Sequence, residues 1–515
     1  MTTPQADSRT GGRPGLGAFL FDHPGAPDDV IAYWYDGRMA RSQMEHAAIR
    51  VAETLRECGI AEGQPVAHIV ESGATALSVM FGVWLAGAAY VPINGRLPDP
   101  EINALIEASR PAAVIARRAR SIDATVTWML ETPGWEWVTR AAQRPWDGEP
   151  LPAGTALVMR TSGTTGNAKP VRLSHDGVAE GIDTVMSSLR DTRPRNRETV
   201  RAPMPNLIPA SLALWAGIWN VLFALRAGSP VVLMDRFDTL QFADLVRRHE
   251  IRSTVLAPAM MSMLTEDRRV TDLAPLTMVR SVTAPLTPNQ ARAFNGKFGI
   301  GIMNCYGQTE LGGEVVGWTA KDLREHGEDK LGSVGRPHAG IEIRVVDDAG
   351  VELPPGQVGE IWISSPFATR DVTISERVEG GFLRTGDIGL LDSDGFLWLQ
   401  GRASDMINRG GLKVLPHEIE EQLCQRPDVA EACVAGVPDR RLGEVPVAWV
   451  RPMPATSVDP VAVLADLRTT LAGYKVPIHL ELVSEMPRNE IGKILRRSLI
   501  EQWTAQHGGA DELTM

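Results

Sequence analysis

An α/β class is predicted by three observations along the chain. Helical periodicity over residues 42–58 alternates with short apolar runs at 66–70 and 113–116, the rhythm of α/β layers built on parallel strands. The rhythm returns after a glycine-rich loop, with Pro230-Val-Val-Leu-Met234 and Ser253-Thr-Val-Leu-Ala257 as buried strands, so two related sheets are expected. From about residue 333 strands with polar turns take over, and after Gly401-Arg402 a fresh α/β pattern begins.

At 515 residues the chain is too long for one ordinary core, and about 150 residues per domain suggests three or so units. Residues 1–15 lack the basic start and apolar run of a signal peptide and read as a flexible tail. Two stretches, 72–95 and 202–225, carry no formal charge and could pass for membrane spans. The first contains Gly82 and Gly87 and reads as a buried helix, a glycine stop and a short strand. The second is broken by Pro205 and Pro209, leaving a Trp-rich helix over 211–225 of about four turns, too short to span. No transmembrane segment is expected.

The β-rich subdomain, 333–401, follows from strands at 341–346 and Gly359-Glu-Ile-Trp-Ile363 around the turn Asp347-Asp-Ala-Gly350. The last segment predicts a helix over 416–424, strands near 430–437 and 445–451 and a helix over 458–472, a compact α+β domain of roughly 110 residues.

The net charge of -11 offers no footprint for nucleic acid, which needs clustered surplus Lys and Arg. Cys58, Cys305, Cys424 and Cys433 show no CxxC spacing, so neither a zinc site nor a disulfide framework is expected, and a reducing, cytoplasmic home fits.

The segment Thr161-Ser-Gly-Thr-Thr-Gly-Asn-Ala-Lys169 follows the apolar run Ala156-Leu-Val-Met159, which makes it a strand-exit loop. Gly163 and Gly166 let backbone N–H groups approach oxyanions, hydroxyls stand beside them, and Lys169 supplies a cation. This is phosphate-binding chemistry. It is not a Walker A loop, because Lys169 lacks the preceding Gly and the following Ser or Thr.

Further motifs lie at Leu85-Ala-Gly-Ala-Ala-Tyr-Val-Pro92, Tyr306-Gly-Gln-Thr-Glu310, Gly332-Ser-Val-Gly-Arg-Pro337, Thr385-Gly-Asp387, Gly401-Arg402, Arg409-Gly-Gly411 and Pro487-Arg-Asn-Glu-Ile-Gly-Lys493. Taken in order, from about residue 31 to 497, they resemble the adenylate-forming superfamily of acyl-CoA synthetases, peptide-synthetase adenylation domains and luciferases, and most of all carboxylic acid–CoA ligases.

The resemblance implies a large N-terminal domain, 16–401, with two stacked αβα-type sheets and the β-rich subdomain. A hinge at 402–405 around Ser404 and a small mobile lid, 406–515, complete the expected organisation. It implies that ATP is held by Thr161, Ser162, Gly163, Thr164, Thr165, Gly166 and Lys169, with Tyr306 flat against adenine and Gly307, Gln308, Thr309 and Glu310 beside the phosphates. Glu310 would bind Mg²⁺, whose hard charge suits a carboxylate. Asp387, with two acceptor oxygens, would take the ribose diol, backed by Arg402.

Lys493, on a basic loop of the lid, would bridge the attacking carboxylate and the nucleotide as charge develops. The catalytic set is thus Lys493, Glu310, Lys169 and Thr165. A carboxylate attacks the α-phosphorus of Mg·ATP, pyrophosphate leaves, and a thiol, that of coenzyme A, takes the acyl group after the lid swings. Gly410, Gly411 and Leu412 would then line the pantetheine tunnel.

Three places depart from the family pattern. Pro205-Asn-Leu-Ile208 replaces Pro-x-Phe-His, so Ile208 stands where a His gates the carboxylate pocket, and Pro209 stands where amino-acid-activating relatives carry Asp. Gly410-Gly-Leu-Lys413 replaces Gly-Gly-Glu-Asn, and the hinge residue is Ser404 rather than Asp or Lys.

The acyl pocket is expected around Asn206, Leu207, Ile208, Trp215, Ala284, Asn304 and Gly312, which favours an apolar acid, whether fatty, aryl or otherwise bulky. Trp215 and Trp219, four apart on one helix, fit core packing as well as substrate contact. Two alternatives stand beside a CoA ligase: an adenylating enzyme that hands its acyl-AMP to a carrier-protein thiol or a separate transferase, and an inactive relative acting as a binding module.

Overall fold

The computed structural model describes residues 15–71, 73–118, 127–132, 136–140, 145–161, 169–189, 203–369, 372–453, 456–488 and 494–507. Two mainly parallel sheets form the large domain. The seven-stranded sheet runs, from edge to edge, Glu136–Arg140, Thr127–Thr132, Ala113–Ala116, Pro65–Val70, Ala89–Asn94, Thr155–Thr161, Lys169–Ser174. The nine-stranded sheet runs Arg336–Pro337, Gly313–Gly317, Gly301–Gln308, Met278–Ser281, Ser253–Leu256, Asn206–Ile208, Val231–Leu233, Val30–Trp34, Gly37–Ala40.

Apolar strand composition follows from burial on both faces. All six residues of Pro65–Val70 are buried, as are all four of Ala113–Ala116. One apolar cluster joins Val66 and Ile115 of the first sheet to Ile31 and Ile208 of the second through Val51, Leu77 and Leu222 of three helices. The sheets therefore stack on a shared helical layer.

The uncharged stretch at 72–95 forms the helix Gly73–Leu85, a left-handed Gly87 and the strand Ala89–Asn94. Gly82 has a reason of its own: a Cβ there would lie 2.5 Å from Val51 Cβ and 2.7 Å from the Ala48 carbonyl oxygen, so it lets Gly73–Leu85 press against Arg41–Glu57. The second stretch yields the helix Trp215–Arg226, which begins four residues later than its pattern predicts, after a turn in which Ser211 Oγ accepts the Ala213 N–H. No helix among the described residues is long and apolar enough to cross a membrane.

The β-rich subdomain is an antiparallel sheet in the order Glu342–Val346, Gly359–Ser364, Phe382–Leu391, Val378–Glu379, with Leu397–Arg402 also paired to Phe382–Leu391. That last pairing sets Asp387 directly opposite Arg402. In the C-terminal unit a long hairpin, Val429–Asp439 with Gly443–Pro452, carries Ile407–Arg409, Leu412–Val414 and His479–Leu482 on its flanks. Helices Pro416–Cys424 and Pro460–Thr470 close one face and Arg496–His507 the other, giving two small apolar cores. The four cysteines are free.

Candidate active site

A cavity of about 1560 Å³ lies beyond the carboxyl ends of Ser253–Leu256, Met278–Ser281 and Gly301–Gln308, closed on its far side by the C-terminal unit. Sites for one small ligand usually occupy about 300–1,000 Å³, so there is room here for two reactants. Its lining includes the cations Lys169, Arg280, Arg377, Arg402, Arg488 and Arg496, interspersed with carboxylates such as Glu310, Glu314 and Asp387.

Parallel pairing of Gly301–Gln308 with Met278–Ser281 carries Tyr306 to the cavity wall, where it meets the β-rich subdomain. The buried Tyr306 hydroxyl donates to Asp387 Oδ2 at 2.6 Å, Gln308 Nε2 donates to the same oxygen at 2.6 Å, and Arg402 Nε lies 3.0 Å from Oδ1. Burial, reinforced by the neighbouring Asp387 carboxylate, holds the Tyr306 phenol well above its ordinary range, so it stays a donor. Asp387 is braced from behind by Thr385, whose Oγ1 accepts the Asp387 N–H at 3.1 Å and donates to the Ile361 carbonyl at 2.6 Å.

Gly307 cannot be another residue, because a Cβ would collide with the Gly313 carbonyl across the sheet. Thr309 and Glu310 follow in a 3-10 turn, Thr309–Leu311, on the cavity wall.

Thr161 and Lys169 face each other as register partners in the antiparallel strands Thr155–Thr161 and Lys169–Ser174, so the glycine-rich segment connects a hairpin that reaches the cavity at its connected end, at Lys169. Ser162, Gly163, Thr164, Thr165 and Gly166 lie outside the described residues, as does Lys493. The residues that flank the Lys493 loop, Arg488 and Ile494, pair as a bridge and both line the cavity.

Asn206, Trp215, Ala284 and Asn304 line the remaining arm of the cavity. Leu207 and Ile208 do not. Leu207 is fully buried in the core beneath Val232 and Phe242, and Ile208 in the core between the sheets, because both lie on a central strand covered on its two faces. Gly312 is also off the wall: at φ +80° it packs against the Phe367 carbonyl. Trp215 and Trp219 meet edge to face at 5.6 Å and both line the arm while packing on the core, so the two roles coincide. Thr283, on the same wall, is held at φ +74°, a conformation unfavourable for a β-branched residue.

Residues 22–371 match the family described as AMP-binding enzyme, and residues 418–493 match its C-terminal domain. The chain belongs to the AMP-binding enzymes.

Among relatives of this adenylate-forming family, the chain is 30% identical to indoleacetate–CoA ligase of Aromatoleum aromaticum over 95% of its own length and 98% of that protein's. It is 29% identical to the fatty acid–[acyl-carrier-protein] ligase ScoC of Streptomyces coeruleorubidus, covering 91% and 92%. The ATP-bound crystal structure of MatB from Rhodopseudomonas palustris superposes with a TM-score of 0.83 at 25% identity, covering 95% of this chain and 98% of that one.

In this AMP-binding enzyme the junction Arg402–Asp405 borders the cavity, with Ser404 on the wall and its Oγ donating to Asp405 Oδ1 at 3.2 Å. Gly410, Gly411 and Leu412 do not border it. They form the tip of the hairpin joining Ile407–Arg409 to Leu412–Val414, the two glycines at φ +59° and +87° and Leu412 half exposed. A tunnel lined by them requires a different placement of the C-terminal unit.

Two features of the site escape the sequence motifs. Arg377 Nη1 donates to Glu310 Oε1 at 3.0 Å while Nη2 reaches the Thr385 carbonyl at 3.2 Å, so the expected metal ligand has a cationic neighbour. Arg377 comes from the mixed segment Val372–Arg377, Val-Thr-Ile-Ser-Glu-Arg, which carries no pattern to mark it. Arg280 and Glu314 form an ion pair on the cavity wall. Their signal is visible in retrospect as one charge in each of two strand segments, Met-Val-Arg-Ser and Gly-Glu-Val-Val-Gly.

Proposed function

We propose that this chain activates an apolar-bodied carboxylic acid with ATP, releasing pyrophosphate, and passes the acyl group from acyl-AMP to the thiol of coenzyme A. The observation that supports it is the convergence of Tyr306, Gln308, Asp387 and Arg402 into one hydrogen-bonded cluster, on a cavity reached also by Lys169 and the flanks of the Lys493 loop.

In this reading adenine lies along Tyr306 and the ribose diol takes up the acceptor capacity of Asp387. The Glu310 carboxylate, a hard oxygen donor on the cavity wall, suits Mg²⁺, which is bound by one or two carboxylates together with substrate phosphates. Bound there, the ion would supply charge neutralisation to the phosphates. Lys169 and the segment 161–169 hold the departing pyrophosphate. The acid lies in the arm beneath Trp215 and Trp219, its carboxylate facing the α-phosphorus, and Lys493 stabilises the charge that grows on the attacking and bridging oxygens.

Arg402–Asp405 then serves as the hinge about which residues 406–515 turn, exchanging Lys493 for the Gly410–Gly411 hairpin and admitting the thiol. Four unpaired cysteines accord with a reducing, cytoplasmic home. A carrier-protein thiol is the second reading, favoured by the ScoC relative and by Leu412-Lys413 on the exposed hairpin.

Pyrophosphate release with a panel of aliphatic and aromatic acids, with and without coenzyme A, tests both. Release coupled to CoA consumption supports the leading reading. Release without consumption of CoA sinks it in favour of carrier-protein transfer.

A further inference from the structure

The acyl arm of the cavity has one wall that an apolar substrate does not explain. Strand Met278–Ser281 turns Val279 into the core and Met278 and Arg280 toward the cavity, as its alternation requires. Across the sheet Glu314 faces the same space. Arg280 Nε donates to Glu314 Oε2 at 2.7 Å, its Nη2 donates to Oε1, and His338 Nε2 completes Oε1 at 2.8 Å. Room for this network comes from Gly317, where a Cβ would lie against both Glu314 Oε1 and Arg280 Nη2. Burial alone would push the Glu314 carboxyl up, but Arg280 and then His338 outweigh it and hold it down at about 2, so the pair is charged at neutral pH.

Stability does not account for this pair, since replacing buried ion pairs by well-packed apolar residues is often neutral or stabilising. The facing helix offers mainly apolar groups, Trp215, Ala216, Trp219 and Phe223, with Asn220 as its polar member turned back onto the Ala216 carbonyl, so a more apolar lining was available. Glu314 engages Nε and Nη2 of the guanidinium, and of the remaining groups beside it the Cys305 thiol is only a weak acceptor, so Arg280, which lines the cavity, keeps N–H capacity to offer there.

We propose that the acid activated here has an aryl-sized apolar body ending in a neutral hydrogen-bond acceptor, such as an ether, carbonyl or phenol oxygen, which Arg280 reads from its place against Glu314. This rests on the reading that the arm holds the acid. Saturated fatty tails offer no acceptor to the Arg280 N–H groups that Glu314 does not take, and a binding site built for a polar group rejects an analogue that lacks it. A second carboxylate is disfavoured too, because Glu314 already balances the guanidinium and a further anion would be buried without a counter-charge.

The test is pyrophosphate release from matched acids: benzoate, phenylacetate and cinnamate, each against its 3- and 4-methoxy and 4-carboxy derivatives, with nonanoate beside them. In at least one framework a methoxy acid is expected to exceed its unsubstituted parent in kcat/KM by at least about tenfold, and to exceed the carboxy acid and nonanoate as well. In Arg280→Met/Glu314→Leu, which removes both charges together, the methoxy preference should collapse to near one; melting temperature and AMP binding report whether the variant is folded. Arg280→Lys, which keeps the charge but loses the fork, should reduce the preference and gives a second reading if the double variant does not fold. Equal kcat/KM for methoxy and parent acids in every framework overturns the inference, as does a preference that survives in the double variant. Absence of release with every acid instead overturns the reading of the chain as an acid-activating enzyme, and this inference with it.

Discussion

Tyr306 and Asp387 meet across two subdomains, the phenol donating to Oδ2 at 2.6 Å, and the same carboxylate gathers Gln308 Nε2 and Arg402 Nε. Asp387→Ala would leave three donors facing an emptied, buried position. Hydrogen bonds to charged groups contribute about 1.5–3 kcal/mol each, so affinity for AMP should fall by about 10–100-fold, measured by calorimetry. Asp387→Asn keeps one acceptor and should lose less. AMP affinity within threefold of the parent chain in Asp387→Ala would count against this cluster as the nucleotide site.

Arg377 occupies Glu310 Oε1 at 3.0 Å, so the divalent ion proposed at Glu310 would compete with an ion pair already in place. Arg377→Gln should lower the Mg²⁺ concentration needed for half-maximal binding of a non-hydrolysable ATP analogue by about two- to fivefold, the scale of a partly exposed ion pair. Glu310→Gln should remove most of the Mg²⁺ dependence of that binding. An unchanged Mg²⁺ midpoint in Arg377→Gln would show that the pair does not compete.

Lys493→Ala should abolish adenylation, with a loss on the order of 100-fold or more, while thioesterification of a supplied acyl-AMP stays largely intact. The two half-reactions are read separately, as pyrophosphate release and as acyl-CoA formation. Equal loss of both would contradict alternation of the lid between two poses.

Acid sensitivity should come from imidazoles that folding keeps neutral. Burial holds His68 down at about 3, and burial, opposed only partly by Asp176, holds His175 down at about 4, against an ordinary 6.5. The folded chain then binds fewer protons than the unfolded one below pH 6.5. Stability present above 6.5 is lost as pH falls, until about 4 for His175 and about 3 for His68. Between pH 7 and 5 each imidazole should account for about 2 kcal/mol of lost stability, read from urea unfolding at the two pH values. His68→Asn should flatten that dependence; a slope identical to the parent's would remove His68 as its source.

Legibility in the sequence tracked the range of the interactions involved. Strands such as Ala113–Ala116 and the helix Pro416–Cys424 appear at their expected bounds, because burial on two faces and a proline start are written locally. Ser211 delayed the helix after Pro209 by a side-chain turn that periodicity does not register. Leu207 and Ile208 were expected on the acyl wall because Pro205-Asn-Leu-Ile208 stands where the family carries its pocket-gating segment, yet of these three strand residues only Asn206, at the strand's start, lines it. Adjacent strand residues point to opposite faces, and here helical layers cover both of them. The Arg280–Glu314 and Arg377–Glu310 contacts join residues 34 and 67 positions apart, and no single segment announces them.

Among the described residues two ion pairs tie the C-terminal unit to the body, Arg451 Nη2 to Glu266 Oε1 at 2.8 Å and Lys413 Nζ to Asp348 Oδ2 at 2.6 Å. Both reach solvent, where such a contact contributes at most about 1 kcal/mol and dissolved salt weakens it. For the lid motion proposed above, such fastenings would make a shallow well rather than a lock, leaving the reactants in the cleft as the main brace and the ionic medium as a throttle on turnover.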